Sequence, residues 1–371
     1  MRVLYITNLP APYKVKFFES LGKLCDLTVI YERSSAADRN SKWVAKAEHT
    51  YEELFIHSIK IGTDNSLSLD VIKYIKKQKY DCIVVGMYST YTAMLSIIYM
   101  KKHDIPFWLS TDGGFVRKES LLKYRIKHYF ISAAMHWLTT GKKSQEYLVY
   151  YGAKKDECYT YPFSSVSNND VLLEAPRIEV KRALKAELNM EESIIVLSVG
   201  QFIPRKGYDI LLKTWAELTP EFGLYLIGGV PTNEYTEIKE RLKLNNVHFI
   251  DFKTKEELAS YYKAADLFVL PTREDVWGLV VNEAMAYGLP VITTNRCIAG
   301  LEMITSPSCG KIINDIENTH LWATEIEDAL RKLDDFSSSE ILKCASQYTI
   351  EKMADETYRI ISSTVKCKQE R

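Results

Sequence analysis

DLFVLPTREDVWGLVVNEAMAYGLPVITT, residues 266 to 294, holds one full repeat of the architecture. DLFVLPT and PVITT are apolar runs of strand length, and Arg273 to Trp277 between them reads as a loop. A helix begins near Gly278, runs through Ala286, and is stopped by Gly288 and Pro290. Strand, loop, helix and strand, with both strands apolar on either face, is the unit of a covered parallel sheet. One residue departs from the pattern. Glu283 falls about one and a half turns into the helix, among Val280, Ala284 and Met285. An ionised carboxylate buried there costs several kcal/mol unless its oxygens find donors.

The same alternation extends in both directions. Strand-like runs at 194–200, 224–229, 247–251 and 311–314 complete the second half. In the first half they fall at 3–7, 27–31, 54–59, 82–87, 107–111 and 136–140, with helical patterns at 13–23, 68–78 and 92–102. The fold class is therefore α/β, with two Rossmann-like, doubly wound parallel-sheet domains. The first spans 1–165 and the second 166–349. The seam lies in YPFSSVSNNDVLLEAP (161–176), which is rich in Pro, Ser and Asn and has no period. A last helix, about 350–371, has no strand after it and is placed to pack back on the first domain.

With 371 residues, 46% hydrophobic and 26% charged, the chain has the make-up of a folded two-domain protein. Its seven scattered cysteines read as reduced thiols of a cytoplasmic protein. The N-terminal apolar run is too short for a signal peptide's core, and no apolar stretch reaches membrane-spanning length. Net charge is zero, yet residues 1–165 carry 24 Lys and Arg against 16 Asp and Glu, a net of +8 that leaves −8 for the remainder. No glycine-rich dinucleotide fingerprint, Walker A loop, G-x-S-x-G or H-E-x-x-H occurs, which disfavours dehydrogenases, P-loop enzymes, serine hydrolases of that type and zinc proteases. Without a D-x-D or a His cluster, no metal is expected. Nor is nucleic-acid binding, because neither half is strongly basic.

In open parallel sheets ligands bind beyond the carboxyl ends of the strands. Three such places stand out. In SVGQFIPRKGYDILL (198–212) a strand ends at Gly200 and a loop carries Arg205 and Lys206, two cations suited to a diphosphate. In the quoted stretch, the backbone N–H groups of Gly278 and Leu279 open a helix and favour an anion. Asp275 can accept from sugar hydroxyls, and the paired hydroxyls of a ribose satisfy Glu283. In TDGG (111–114), Asp112 closes a first-domain strand.

These motifs, VGQFIPRKG (199–207), the D-x7-E of Asp275 and Glu283, and GLEMI (300–304), resemble the group-1 (family-4) retaining glycosyltransferases of bacterial surface-polysaccharide type. The similarity is dense over about 195–315. It implies the GT-B arrangement, with two Rossmann-like domains facing each other across a cleft. It also implies that Arg205 and Lys206 bind the donor diphosphate, that Glu283 holds the ribose and that Asp275 takes the sugar hydroxyls. The family's usual motif is Glu-x7-Glu, so Glu274 and Asp275 both stand as candidates for the sugar contact. In the first domain, NLPAPYK (8–14) replaces a common Gly-Gly pair, and Asp112 stands where many members have a His. The implied activity is metal-independent transfer from a nucleotide-sugar donor, commonly a UDP-sugar, to a glycan or lipid-linked acceptor, with no cofactor beyond the donor. A nucleotide-sugar 2-epimerase and a non-catalytic nucleotide-sugar scaffold are the alternatives. RKESLLKYRIKHYF (117–130) reads as a basic amphipathic helix suited to an anionic inner membrane face, with the protein peripheral at that surface.

Overall fold

The computed structural model describes residues 1–33, 49–61, 65–77 and 79–369, with side chains up to residue 365 and excepting residue 77. The chain divides into two compact units, 1–165 together with 349–371, and 166–348.

The first unit contains strands β1 (Arg2–Thr7), β2 (Asp26–Tyr31), β3 (Glu52–Phe55), β4 (Ile59–Ile61), β5 (Asn65–Leu67), β6 (Cys82–Val85), β7 (Trp108–Ser110), β8 (His136–Thr139) and β9 (Cys158–Thr160). Seven of these form one sheet in the order β3-β2-β1-β6-β7-β8-β9, parallel throughout. β4 and β5 pair as a separate antiparallel hairpin. Helices α1 (Pro12–Gly22), α2 (Asp70–Lys77), α3 (Tyr91–Lys102), α4 (Leu121–Ile131) and α5 (Lys142–Tyr150) cover the sheet.

The second unit has strands β10 (Ile194–Val199), β11 (Phe222–Ile227), β12 (Val247–Ile250), β13 (Leu267–Leu270), β14 (Val291–Thr294) and β15 (Gly310–Ile313). Their order is β12-β11-β10-β13-β14-β15, again all parallel. This is the 3-2-1-4-5-6 order of a dinucleotide-binding sheet, and the direction of winding reverses between β10 and β13. Its helices are α6 (Ile178–Glu187), α7 (Tyr208–Trp215), α8 (Asn233–Arg241), α9 (Lys255–Ala264), α10 (Leu279–Ala286), α11 (Ile298–Met303), α12 (Thr319–Arg331) and α13 (Ser338–Ala345). The last helix, α14 (Ile350–Gln369), belongs to the first unit and packs on α1.

Strands buried on both faces tolerate only apolar runs, which is why β10, β13 and β14 are legible in sequence. The run 54–59 is not a single strand. Its start belongs to the partly exposed edge strand β3, and the chain leaves the sheet before the β4–β5 hairpin. The basic segment 117–130 is helical only from Leu121, with Ser120 as its cap, so Arg117 and Lys118 precede the helix. The expected helix over 68–78 is described as far as Lys77, and residues 370–371 of the expected final helix lie outside the described residues. The six cysteines with described side chains are all free.

Candidate functional site

The winding reversal between β10 and β13 opens a crevice at their carboxyl ends, and both candidate loops of the second unit leave from there. After β10 the chain makes a 3₁₀ turn, Pro204–Lys206, before α7. Gly207 closes that turn at φ 74°, and a Cβ there would lie 2.0 Å from the Pro271 carbonyl oxygen, so only glycine lets the turn press against the exit of β13. After β13, the loop from Pro271 to Gly278 leads into α10. Gly278, at φ 100°, is the cap residue and brings no side-chain cap to the helix. A Cβ on it would meet Cys297 Sγ at 2.6 Å. The loop is fastened to the start of α11: Asp275 N–H donates to the Arg296 carbonyl (2.7 Å) and Ala299 N–H to that of Trp277 (2.8 Å).

These constraints bring the two motifs together. Lys206 and Asp275 are each only 9% exposed, and Lys206 Nζ donates to Asp275 Oδ2 at 2.6 Å. Arg205, which is exposed, donates through Nη1 to the Glu274 carbonyl at 2.8 Å and stands 3.5 Å from Asp275 Oδ1. Of the two neighbouring acids, Asp275 faces the cation pair, whereas the Glu274 carboxylate meets Arg296 Nη2 at 2.8 Å. Asp275 is not the helix cap; Gly278 is. Gly200, at the end of β10, donates its N–H to the Ile227 carbonyl (2.8 Å) and accepts from the Tyr208 hydroxyl (3.2 Å), which holds the first turn of α7 beneath the loop. Leu279 is the first residue of α10, where helical N–H groups lack intrahelical acceptors.

Glu283, half-buried in α10, accepts a hydrogen bond on Oε2 from the Tyr262 hydroxyl at 3.0 Å. It lines a small pocket with Tyr262, Tyr287, Lys255 and Asp170. Tyr262 stacks on Tyr287, centroids 5.3 Å apart and planes 7° from parallel. Lys255 Nζ meets Asp170 Oδ2 at 2.6 Å across the pocket. Burial first, and then the charge of Glu283, push the Tyr262 phenol well above its ordinary pKa, so the hydroxyl remains a donor. Tyr262 carries no motif; it is exposed as a site residue only when α9 is laid against α10.

In the first unit, Asp112 follows β7 and its carbonyl accepts from Thr140 Oγ1 (3.3 Å). Burial raises its carboxyl pKa, partly offset by the positive charge of Lys14 in α1. Lys14 in turn donates to Thr7 Oγ1 (3.1 Å) and Asn8 Oδ1 (3.0 Å) at the end of β1. The sequence therefore places Asp112 and the NLPAPYK loop at the carboxyl end of one sheet, as strand-end residues should be.

Comparison with known proteins agrees with this geometry. Residues 180–338 match the family model described as "Glycosyl transferases group 1". Mannosylfructose-phosphate synthase of Agrobacterium fabrum is 31% identical over 188 residues, 46% of this chain and 40% of that protein, so less than half of the relative's length is matched. A 41.2 kDa protein of the cps region of Klebsiella pneumoniae is 26% identical over 306 residues, 76% of this chain and 81% of its own. Among solved structures, Anabaena HepE in complex with UDP and glucose superposes with a TM-score of 0.77 at 17% identity, covering 98% of this chain and 100% of that one. The fold is that of the GT-B glycosyltransferases. Residues 180–338, which lie almost wholly in the second unit, are similar in sequence to the group-1 glycosyltransferases.

Proposed function

We propose that the protein is a retaining, metal-independent glycosyltransferase that moves a sugar from a nucleoside-diphosphate donor, UDP-sugar first, to a glycan or lipid-linked acceptor. The observation that carries this reading is the cluster of Arg205, Lys206 and Asp275 at the winding reversal of the second sheet, beside the uncapped start of α10. That HepE has been solved with UDP and with UDP-glucose supports the choice of donor. Arg205 and Lys206 stabilise the departing diphosphate as its charge grows, and the diphosphate takes the acceptor's proton in a front-face attack. One preorganised donor of this kind contributes on the order of 3 to 4 kcal/mol. Glu283 orients the donor through the ribose, Asp275 serves the sugar hydroxyls, and the first unit, through Asp112, serves the acceptor. The setting is cytoplasmic.

Glu283→Ala tests the reading directly. Release of nucleoside diphosphate should fall below detection and nucleotide affinity should weaken, with the circular dichroism spectrum retained; an active variant would mean the site is misassigned. Running the assay with and without acceptor separates transfer from epimerisation and from binding without turnover. Turnover should also survive EDTA, and its loss on chelation would remove metal independence. For the lipid-linked acceptor, α4 offers the contact. Leu121, Leu122, Ile126 and Tyr129 are exposed on it and Val116 ahead of it, alongside exposed Lys123 and Arg125 on the helix and Arg117 and Lys118 before it. Lys127 is turned away from this face, donating to Glu119 (2.8 Å) and to the Tyr151 hydroxyl (3.2 Å). Flotation with anionic vesicles should therefore be salt-sensitive, and equal recovery with neutral vesicles would count against the contact.

A further inference from the structure

The turn Pro204–Lys206 is held from outside by a third cation that the donor reading leaves without a role. Arg273 makes five hydrogen bonds through its side chain. Nη1 donates to the Pro204 carbonyl (2.8 Å) and to Asp209 Oδ1 (2.7 Å). Nη2 donates to Asp209 Oδ2 (2.9 Å) and Glu317 Oε2 (3.0 Å), and Nε to Glu317 Oε1 (2.7 Å). Its own N–H, together with Thr272 Oγ1, donates to the Arg205 carbonyl, at 2.8 and 3.0 Å. Consecutive carbonyls of the turn, those of Pro204 and Arg205, are thus both tied to the β13 exit loop, while Asp209 in the first turn of α7 and Glu317 ahead of α12 brace the guanidinium.

This bonding separates Arg273 from its neighbours. Arg205 and Lys206 lie against the single carboxylate of Asp275, leaving a net positive cluster that an anion can complete. Arg273 faces two carboxylates, so its charge is already matched, and it contributes geometry rather than field. Only a planar fork with several donors bridges two carboxylates and a carbonyl at once, which a lysine ammonium on a flexible stem cannot do.

We infer that Arg273 is a positioning residue for the donor diphosphate: it fixes the turn that presents Arg205 and Lys206 and does not itself touch phosphate. The inference rests on the donor reading above. Its test measures the full chain's affinity for whichever of UDP, GDP and ADP the wild type binds most tightly, and for the matching nucleoside, by calorimetry and NMR titration. Arg273→Ala should weaken nucleoside diphosphate binding roughly tenfold to hundredfold, the worth of one hydrogen bond to a charged group, with nucleoside affinity kept within about twofold. Arg273→Lys should recover little of the loss, because charge alone does not restore the fork. Asp209→Asn, a milder change that leaves the arginine in place, should shift the same ratio in the same direction. Wild-type diphosphate binding in Arg273→Ala, or an equal loss for diphosphate and nucleoside, overturns the inference, the second result being that of a merely structural ion pair. If wild type binds diphosphate no better than nucleoside, or Arg205→Ala leaves their ratio unchanged, the donor reading fails and the positioning role falls with it.

Discussion

Tyr262 takes part in aiming Glu283. A half-buried carboxylate on a helix has several rotamers open to it, and the phenol, fixed by stacking on Tyr287, selects one by donating to Oε2. On the donor reading, the ribose hydroxyls bond to the carboxylate held in this rotamer. Tyr262→Phe removes the donor with almost no change of volume, so the fold should lose the worth of one hydrogen bond to a charged group, about 1.5 kcal/mol, and UDP affinity should fall with the aim of the carboxylate. The preference for UDP over 2′-deoxy-UDP should shrink as well, since the carboxylate is no longer oriented to read hydroxyls. Calorimetry with both nucleotides checks this, and an undiminished preference would show that Glu283 is oriented by other contacts. As candidates, Arg205 and Lys206 stood out in sequence as a cation pair in a strand-end loop, and Glu283 as an acid inside an apolar helix. Tyr262 and the partners of Arg273 were not, because their meaning depends on segments far apart in the chain: residue 262 with 283, and 209 with 273 and 317.

Among the elements, a buried acid stands just after β2. Glu32 is 1% exposed. It accepts from Thr90 Oγ1 (2.6 Å), the cap residue of α3, and from Ser66 Oγ (3.3 Å) in β5, joining a strand, a helix start and the hairpin. Burial pushes its carboxyl up from 4.5 to about 7, against the pull of the two hydroxyls and of the positive charges of Arg33 and Lys14. An acid with a raised folded-state pKa holds its proton in the fold after the unfolded chain has released it. Its contribution to stability is therefore complete below about pH 4.5 and is lost as the pH rises through about 7. The size is on the order of 3 to 4 kcal/mol over the whole window. Glu32→Gln cannot titrate, so the melting temperature of wild type relative to this variant should fall between pH 5 and pH 8; a difference that stays flat would mean that Glu32 is already ionised in the fold at pH 5. Such a joint was invisible in sequence, since all of the β4–β5 hairpin but Ile59 falls in the gap between the expected strand over 54–59 and the expected helix from 68. The short strand β9, three residues long, was missed for a similar reason: it has no apolar run to announce it.

At the scale of the whole molecule, regular alternation of strands and helices was enough to show two sheets, and the absence of a strand after residue 348 marked the final helix as a return element. Burial explains why the return is needed. α14 carries Ile350, Met353, Ile360 and Ile361 on its buried face, all at most 4% exposed, and packs on α1, whose own buried face is Val15, Phe17, Phe18 and Leu21. Burying four such side chains stabilises the fold by about 1.5 to 3 kcal/mol each, a sum comparable with the roughly 5 to 15 kcal/mol that holds a typical domain together. A chain ending at Tyr348 keeps every residue of the second unit and every strand of the first, yet loses this cover. Its first unit should fail to fold, seen as lost solubility or as the disappearance of one calorimetric transition. A fragment of residues 166–348, which forms a compact unit with its own core, should still melt cooperatively and bind the same nucleoside diphosphate. Should the chain ending at Tyr348 instead melt like the full protein, α14 would be a passenger on α1, and the extension of the first unit beyond residue 348 would have no energetic basis.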